Sequence, residues 1–161
     1  QLASAETGEL RVTPVATNSV DVLGSVASAL RYHSVAEKRS IVIDASSDMF
    51  DWRVDPVLLR RVLINLTKNA LEASGPGGTV TLRAELSGSE ARFHVHNDGV
   101  IPPEIQRQLF QRSFSTKGDG RGLGTYSVRL LTERYLRGAV RFTSDEEIGT
   151  LFSVSISTTP E

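Results

Sequence analysis

Two pairs of short alternating segments, each pair closed by a turn, rule out a doubly wound parallel sheet. Thr79 to Leu86 and Ala91 to His96 alternate around Ser87-Gly88-Ser89, and Ala139 to Thr143 returns as Thr150 to Ser157. Strands that arrive in hairpins pair antiparallel. Three helical patterns accompany them. Ser19 to Ser40 places Val22, Leu23, Val26, Ala29, Leu30 and Val35 on one stripe, with Asn18 or Ser19 as cap. Pro56 to Ser74 is the clearest helix: Asp55 caps it, Pro56 takes its first position and Gly75-Pro76-Gly77-Gly78 stops it. Leu123 to Tyr135 is the third, and Pro103 to Phe110 forms a shorter helical stretch. Ile41-Val42-Ile43 reads as a buried strand with Asp51 to Val54 as its candidate partner. This order predicts an α+β fold: a two-layer α/β sandwich with a mixed, mostly antiparallel sheet and helices on one face.

A chain of 161 residues is long enough to bury a core as one domain. Its net charge of −1, with 23% charged residues, supplies no bulk attraction to nucleic acid or to a membrane surface. No nucleic-acid partner is therefore expected. The absence of cysteine excludes disulfides, thiol catalysis and cysteine-bound metal, and fits a reducing compartment. No apolar run reaches the roughly 20 residues of a membrane span, and Gln1 to Glu9 lacks the regions of a signal peptide. With Gln1 in place of an initiator methionine, the chain is read as a piece of a longer protein.

Three constellations carry chemistry. Asn65 and Asn69 lie four apart on one face of the Pro56 helix. Asparagine is a mediocre helix former, so the pair reads either as solvated amides or as a polar site. Asn97-Asp98-Gly99 follows a strand ending Phe93-His94-Val95-His96, which is a common turn or the rim of a pocket. Gly118-Asp119-Gly120-Arg121-Gly122-Leu123-Gly124 opens into a helix, where glycines admit a phosphate close to free backbone N–H groups. Lys117, just before it, offers a point charge for a terminal phosphate. Neither the P-loop nor the early dinucleotide fingerprint is present.

In order and spacing, these pieces resemble the ATP-binding domain of sensor histidine kinases. That domain belongs to the Bergerat-fold superfamily shared with gyrase, the mismatch-repair ATPase and the ninety-kilodalton heat-shock chaperone. The resemblance covers Val12 to Ile156 and rests on five motifs. Leu63 to Ala70 is similar to the N box, which implies that Asn69 holds the magnesium ion and that Asn65 lines the same face. In hydrolytic relatives the position of Asn65 is a glutamate that activates water; an amide cannot serve as that base. Val95 to Gly99 resembles the first glycine box. Asn97 stands there in the usual aspartate place and is expected to accept a hydrogen bond from the adenine amino group, with Asp98 as the alternative. Gly99 supplies the turn, and Val100-Ile101-Pro102 falls one residue short of the family's second glycine. Leu109 to Lys117 resembles the phenylalanine box and the start of the ATP lid, so that Phe110 and Phe114 fasten the lid and Lys117 meets the phosphates. Gly120, Arg121, Gly122, Leu123, Gly124 and Thr125 match the glycine-rich helix start around the triphosphate. Thr150 resembles the last box, near the adenine end.

The resemblance implies ATP and Mg2+ as ligands and phosphoryl transfer to a histidine on a separate dimerisation domain, with a response regulator receiver domain downstream. His33, His94 and His96 read as structural or surface residues. The acceptor is therefore expected elsewhere in the protein, with residues 1–10 as the tail of the helix and linker leading from it and residues 11–161 as the catalytic domain. The chain alone is expected to be a monomer and the whole protein a homodimer. Its domain is expected to be cytoplasmic, whether or not the protein is membrane-anchored. The alternatives are an anti-sigma-factor-type serine kinase, a non-catalytic nucleotide-sensing module and an independent ATPase.

Overall fold

A computed structural model of the chain describes residues 10–109 and 127–159. In chain order, β1 (Val15–Asn18) leads into α1 (Ser19–Arg31), and β2 (Ser40–Ile43) and β3 (Asp51–Val54) lead to α2 (Pro56–Ala73). The hairpin β4 (Thr79–Ser87) and β5 (Glu90–Asn97) follows, then a single helical turn α3 (Pro103–Gln106). After it come a helical stretch at 127–130, a π-helical turn at Leu131–Tyr135, and β6 (Gly138–Asp145) with β7 (Gly149–Ser157).

The helix starts follow the capping chemistry of the sequence. Asn18 Oδ1 accepts from the N–H groups of Val20 and Asp21 at 3.0 and 3.1 Å. Asp55 Oδ1 accepts from Val57 and Leu58 at 3.0 and 3.1 Å, while its Oδ2 takes the Thr13 N–H at 2.8 Å. Asp55 is buried, so loss of this three-bond cap costs about 2 kcal/mol or more. α1 stops at Arg31, short of the expected Ser40, because the chain turns through a 3-10 segment at Ser34–Ala36. The Val35 N–H there donates to His33 Nδ1 at 3.1 Å. Pro103 to Phe110 likewise shortens to one turn, Pro103–Gln106. Near the C-terminal helix, the Leu136 N–H donates to the Leu131 carbonyl five residues back at 2.9 Å, the widened spacing of a π turn.

Five strands form one sheet in the order β2-β4-β5-β7-β6, in which β2 runs parallel to β4 and every other pair is antiparallel. The expected partnership of Asp51–Val54 with Ile41–Ile43 is corrected here. β3 pairs antiparallel with β1, a strand the sequence pattern did not reveal, from Val15↔Val54 to Asn18↔Asp51. The strand at 40–43 instead joins the main sheet beside Thr79–Leu82. Four residues of alternating burial cannot choose a partner, and the choice was made by where α1 and α2 leave the β1–β3 pair.

Period-two alternation divides the sheet into two faces. Val80, Leu82, Ala84, Phe93, Val95, Val154 and Ile156 point inward and are almost wholly buried. Against them lie Val22, Leu23, Val26 and Leu30 of α1 and Leu59, Val62, Leu63, Leu66 and Ala70 of α2. Each large apolar side chain so buried contributes about 1.5–3 kcal/mol. His94 faces the other side, as its alternation with Phe93 predicts. There Nδ1 meets Ser153 Oγ at 2.7 Å and Nε2 meets Glu85 Oε1 at 2.9 Å, which ties three strands together. The hydrogen bond from His94 holds the Glu85 carboxyl below the usual carboxylate range; desolvation opposes the shift, and the charges of His94, Arg83 and Arg92 assist it.

Candidate functional site

The adjacent ends of β5 and β7, with the C-terminal part of α2, form the polar end of the sheet. Asn97 closes β5 opposite Thr150 of β7, and both residues are 2% exposed. Asn97 Nδ2 is buried without a hydrogen-bond partner among the described residues, which is costly unless a ligand or solvent meets it. Asp98, by contrast, is exposed.

Two glycines shape the space around Asn97. Gly149 has φ +91°, and a Cβ on it would lie 2.5 Å from the Asn97 carbonyl oxygen, so only glycine lets the two chains approach this closely. A Cβ on Gly99 would lie 3.0 Å from Asn97 Nδ2 and 3.2 Å from the Ala73 carbonyl oxygen. The glycine turn therefore runs close to the end of α2. Asn65, Asn69 and Ala73 succeed one another at four-residue steps, so the half-buried Asn65 and Asn69 lie along the helix line that leads to the turn.

A directed chain of hydrogen bonds holds this turn. The Ile101 N–H donates to Ser144 Oγ at 2.8 Å, Ser144 lies 2.8 Å from Thr150 Oγ1, and the Thr150 hydroxyl donates to the Gly99 carbonyl at 2.7 Å. Since the Thr150 proton is spent on Gly99, the Ser144 hydroxyl is the donor between the two, and each bond polarises the next. Gln106 Nε2 donates to the Ile101 carbonyl at 2.7 Å from α3. His96 Nε2 donates to the Ile148 carbonyl at 2.7 Å, pinning the β6–β7 turn beside Gly149.

Ser144 and Gln106 were not singled out from the sequence. A signal for Ser144 exists. Asp145 Oδ1 accepts from Glu147 and Ile148 at 2.9 and 2.7 Å, fixing a turn that registers Ser144 opposite Thr150. Gln106 carries no comparable signal.

The structure thus brings together Asn97, Gly99 and Thr150, sets Asn65 and Asn69 on the helix line leading to them, and leaves Asp98 at the surface. Phe110, Lys117, Gly120, Arg121, Gly122, Leu123, Gly124 and Thr125 lie outside the described residues.

The donor set suits a small hard cation only sparingly. Asn69 offers an amide oxygen of the kind magnesium accepts, and no group of three or more His, Cys, Asp or Glu side chains able to hold a metal occurs among the described residues. That combination fits an ion held by one or two protein oxygens together with phosphate and water, so Asn69 fits magnesium in that role. No helix among the described residues is long and apolar enough to cross a membrane.

An open, mostly antiparallel sheet under two helices, with a glycine-bounded polar end, is the Bergerat-type fold expected from the sequence. The nucleotide-free catalytic domain of the histidine kinase ThkA superposes with a TM-score of 0.81 at 26% identity, covering 92% of this chain and 97% of that one. Full-length ShkA in complex with AMPPNP gives 0.82 at 25% identity, covering 99% of this chain and 35% of ShkA. The chain belongs to the family of histidine kinase-, DNA gyrase B- and HSP90-like ATPases, whose model matches residues 54–160. Among curated relatives, the sensor histidine kinase CusS of Escherichia coli K12 is 30% identical over 162 aligned residues. The match takes in 96% of this chain and 33% of CusS, so the chain spans about a third of that relative.

Proposed function

We propose that this chain binds Mg-ATP at the β5–β7 end of the sheet and presents its γ-phosphoryl group to a histidine on a separate domain of the same sensor kinase. The observation that carries the reading is the buried Asn97 Nδ2, without a hydrogen-bond partner among the described residues, between Gly99 and Gly149 and next to the end of the Asn65–Asn69 face. In this reading Asn97 meets the adenine edge, Asn69 holds the magnesium ion, and Asn65 lines the phosphate face. When bound, that ion supplies charge neutralisation at the phosphates.

An amide at position 65 has no basic lone pair with which to activate water. Asn65 therefore favours a protein nucleophile over hydrolysis. Transfer would proceed by in-line attack of an imidazole nitrogen on the γ-phosphorus as the bond to the β-phosphate oxygen breaks and ADP leaves, with positioning as the protein's main contribution. Lys117 and the glycine-rich residues 120 to 125 are proposed to meet the triphosphate. A receiver domain is the proposed next acceptor, and the dimeric state of the whole protein would reside outside this chain.

The test is thermal unfolding with a non-hydrolysable ATP analogue, with and without magnesium, for the wild type and Asn69→Ala. At about 100 times its dissociation constant, the ligand stabilises by about 2.7 kcal/mol, or roughly 5–10 °C. The expected shift needs magnesium and shrinks in Asn69→Ala. A chain that shows no shift at millimolar nucleotide does not bind ATP, and the reading falls.

A further inference from the structure

We infer that Asn97 opens the base site to 6-oxopurine nucleotides as well as to 6-aminopurine ones. The inference rests on the proposed nucleotide site and concerns which bases that site admits.

As the side chain stands, Nδ2 is a donor without an acceptor among the described residues. It lies 3.0 Å from the point a Gly99 Cβ would take, and the Ala73 carbonyl oxygen lies 3.2 Å from the same point. A Cβ at position 99 would crowd this donor, and glycine spares it that contact. The edge of a 6-oxopurine carries an acceptor at O6, which complements that donor directly. The edge of a 6-aminopurine carries a donor, the N6 amino group, at the corresponding place. A carboxamide serves that amino group after a half-turn about its terminal torsion, because its oxygen and nitrogen are nearly the same size.

A carboxylate has no such freedom. It accepts only, so it satisfies an amino group but leaves O6 of a 6-oxopurine facing another oxygen. A buried acceptor set against an acceptor costs about 1–3 kcal/mol, roughly tenfold to hundredfold in affinity. The surroundings of Asn97 do not restore the discrimination. The Thr150 hydroxyl is committed to Gly99 and Ser144, and Asp98 is exposed.

The experiment measures the dissociation constants of magnesium ATP and magnesium ITP for the 161-residue chain and for Asn97→Asp, with thermal unfolding to verify that both are folded. The readout is the ITP-to-ATP ratio, which is independent of any general change in affinity. The expected ratio is within about tenfold for the wild type and at least tenfold larger for Asn97→Asp. A wild-type ratio as large as that of the variant overturns the inference and leaves the ATP site standing, as does a low ratio in both proteins. Failure of the folded wild type to bind either nucleotide overturns the inference and the site together.

Discussion

Trp52 Nε1 and Asn97 Nδ2 are both buried donors without an acceptor among the described residues, yet they sit in opposite surroundings. Trp52 packs against Phe50 at 5.2 Å and stacks on Phe93 at 5.7 Å. Two aromatic contacts of about 0.5–1.5 kcal/mol each, added to the buried ring area, offset the cost of one unmet N–H. Asn97 has no such return. Its neighbours are glycines, turn backbone and hydroxyls already committed elsewhere. An unmet donor among rings reflects packing, whereas one among glycines at a strand end marks a place built for another molecule.

The largest effect on this contrast is expected from Gly149→Ala. Its positive φ and the 2.5 Å approach to the Asn97 carbonyl leave no room for a methyl group. The variant should lose about 2–3 kcal/mol in denaturant unfolding and bind nucleotide more weakly, because β7 must move away from Asn97. A stability within 0.5 kcal/mol of wild type, on the scale of a neutral surface change, would show that the close approach is not required.

A matched pair of substitutions separates the two donors. Trp52→Phe removes the unmet N–H and some ring area, so stability should change by less than about 1 kcal/mol and nucleotide binding should stay as it is. Asn97→Leu should cost equally little stability but abolish nucleotide binding in calorimetry. Equal behaviour of the two variants toward nucleotide would erase the distinction.

The smallest effect belongs to a donor–acceptor contact that is satisfied, Glu85 with His94. Because the folded carboxyl titrates below its unfolded value, its contribution is present above the ordinary carboxylate range and is lost as pH falls through the lower folded value. Glu85→Gln should therefore melt roughly 1–2 °C lower than wild type near neutral pH. The two curves should converge in acid; a gap that widens on acidification would reverse the assignment.

Most of the fold was legible because its signals are local. Asp55 with Pro56 announced α2, and the alternation of Phe93 and Val95 with His94 and His96 assigned the faces of β5. Pairing by distant segments was not legible. β1 and the true partner of β3 depend on contacts 33 to 39 residues apart, between strands of four residues each. The family match bears out the reading of the chain as a histidine kinase-like ATPase domain. Within the candidate site, Asn97 and Thr150 were visible as residue types at strand ends. Ser144 and Gln106 were hidden because their roles arise from a turn they support across the β5–β7 seam.

The seam itself has a kinetic consequence. Each hairpin closes over a few residues, as at Ser87↔Glu90, but Asn97 meets Thr150 across 53 positions. Long closures are slow relative to local ones, so β4–β5 and β6–β7 can each zip before they find one another. The Asn97–Thr150 pair comes into being only at that docking. Nucleotide affinity in a refolding chain should then follow the slow union of two preformed ribbons, with the binding site among the last parts of the molecule to exist.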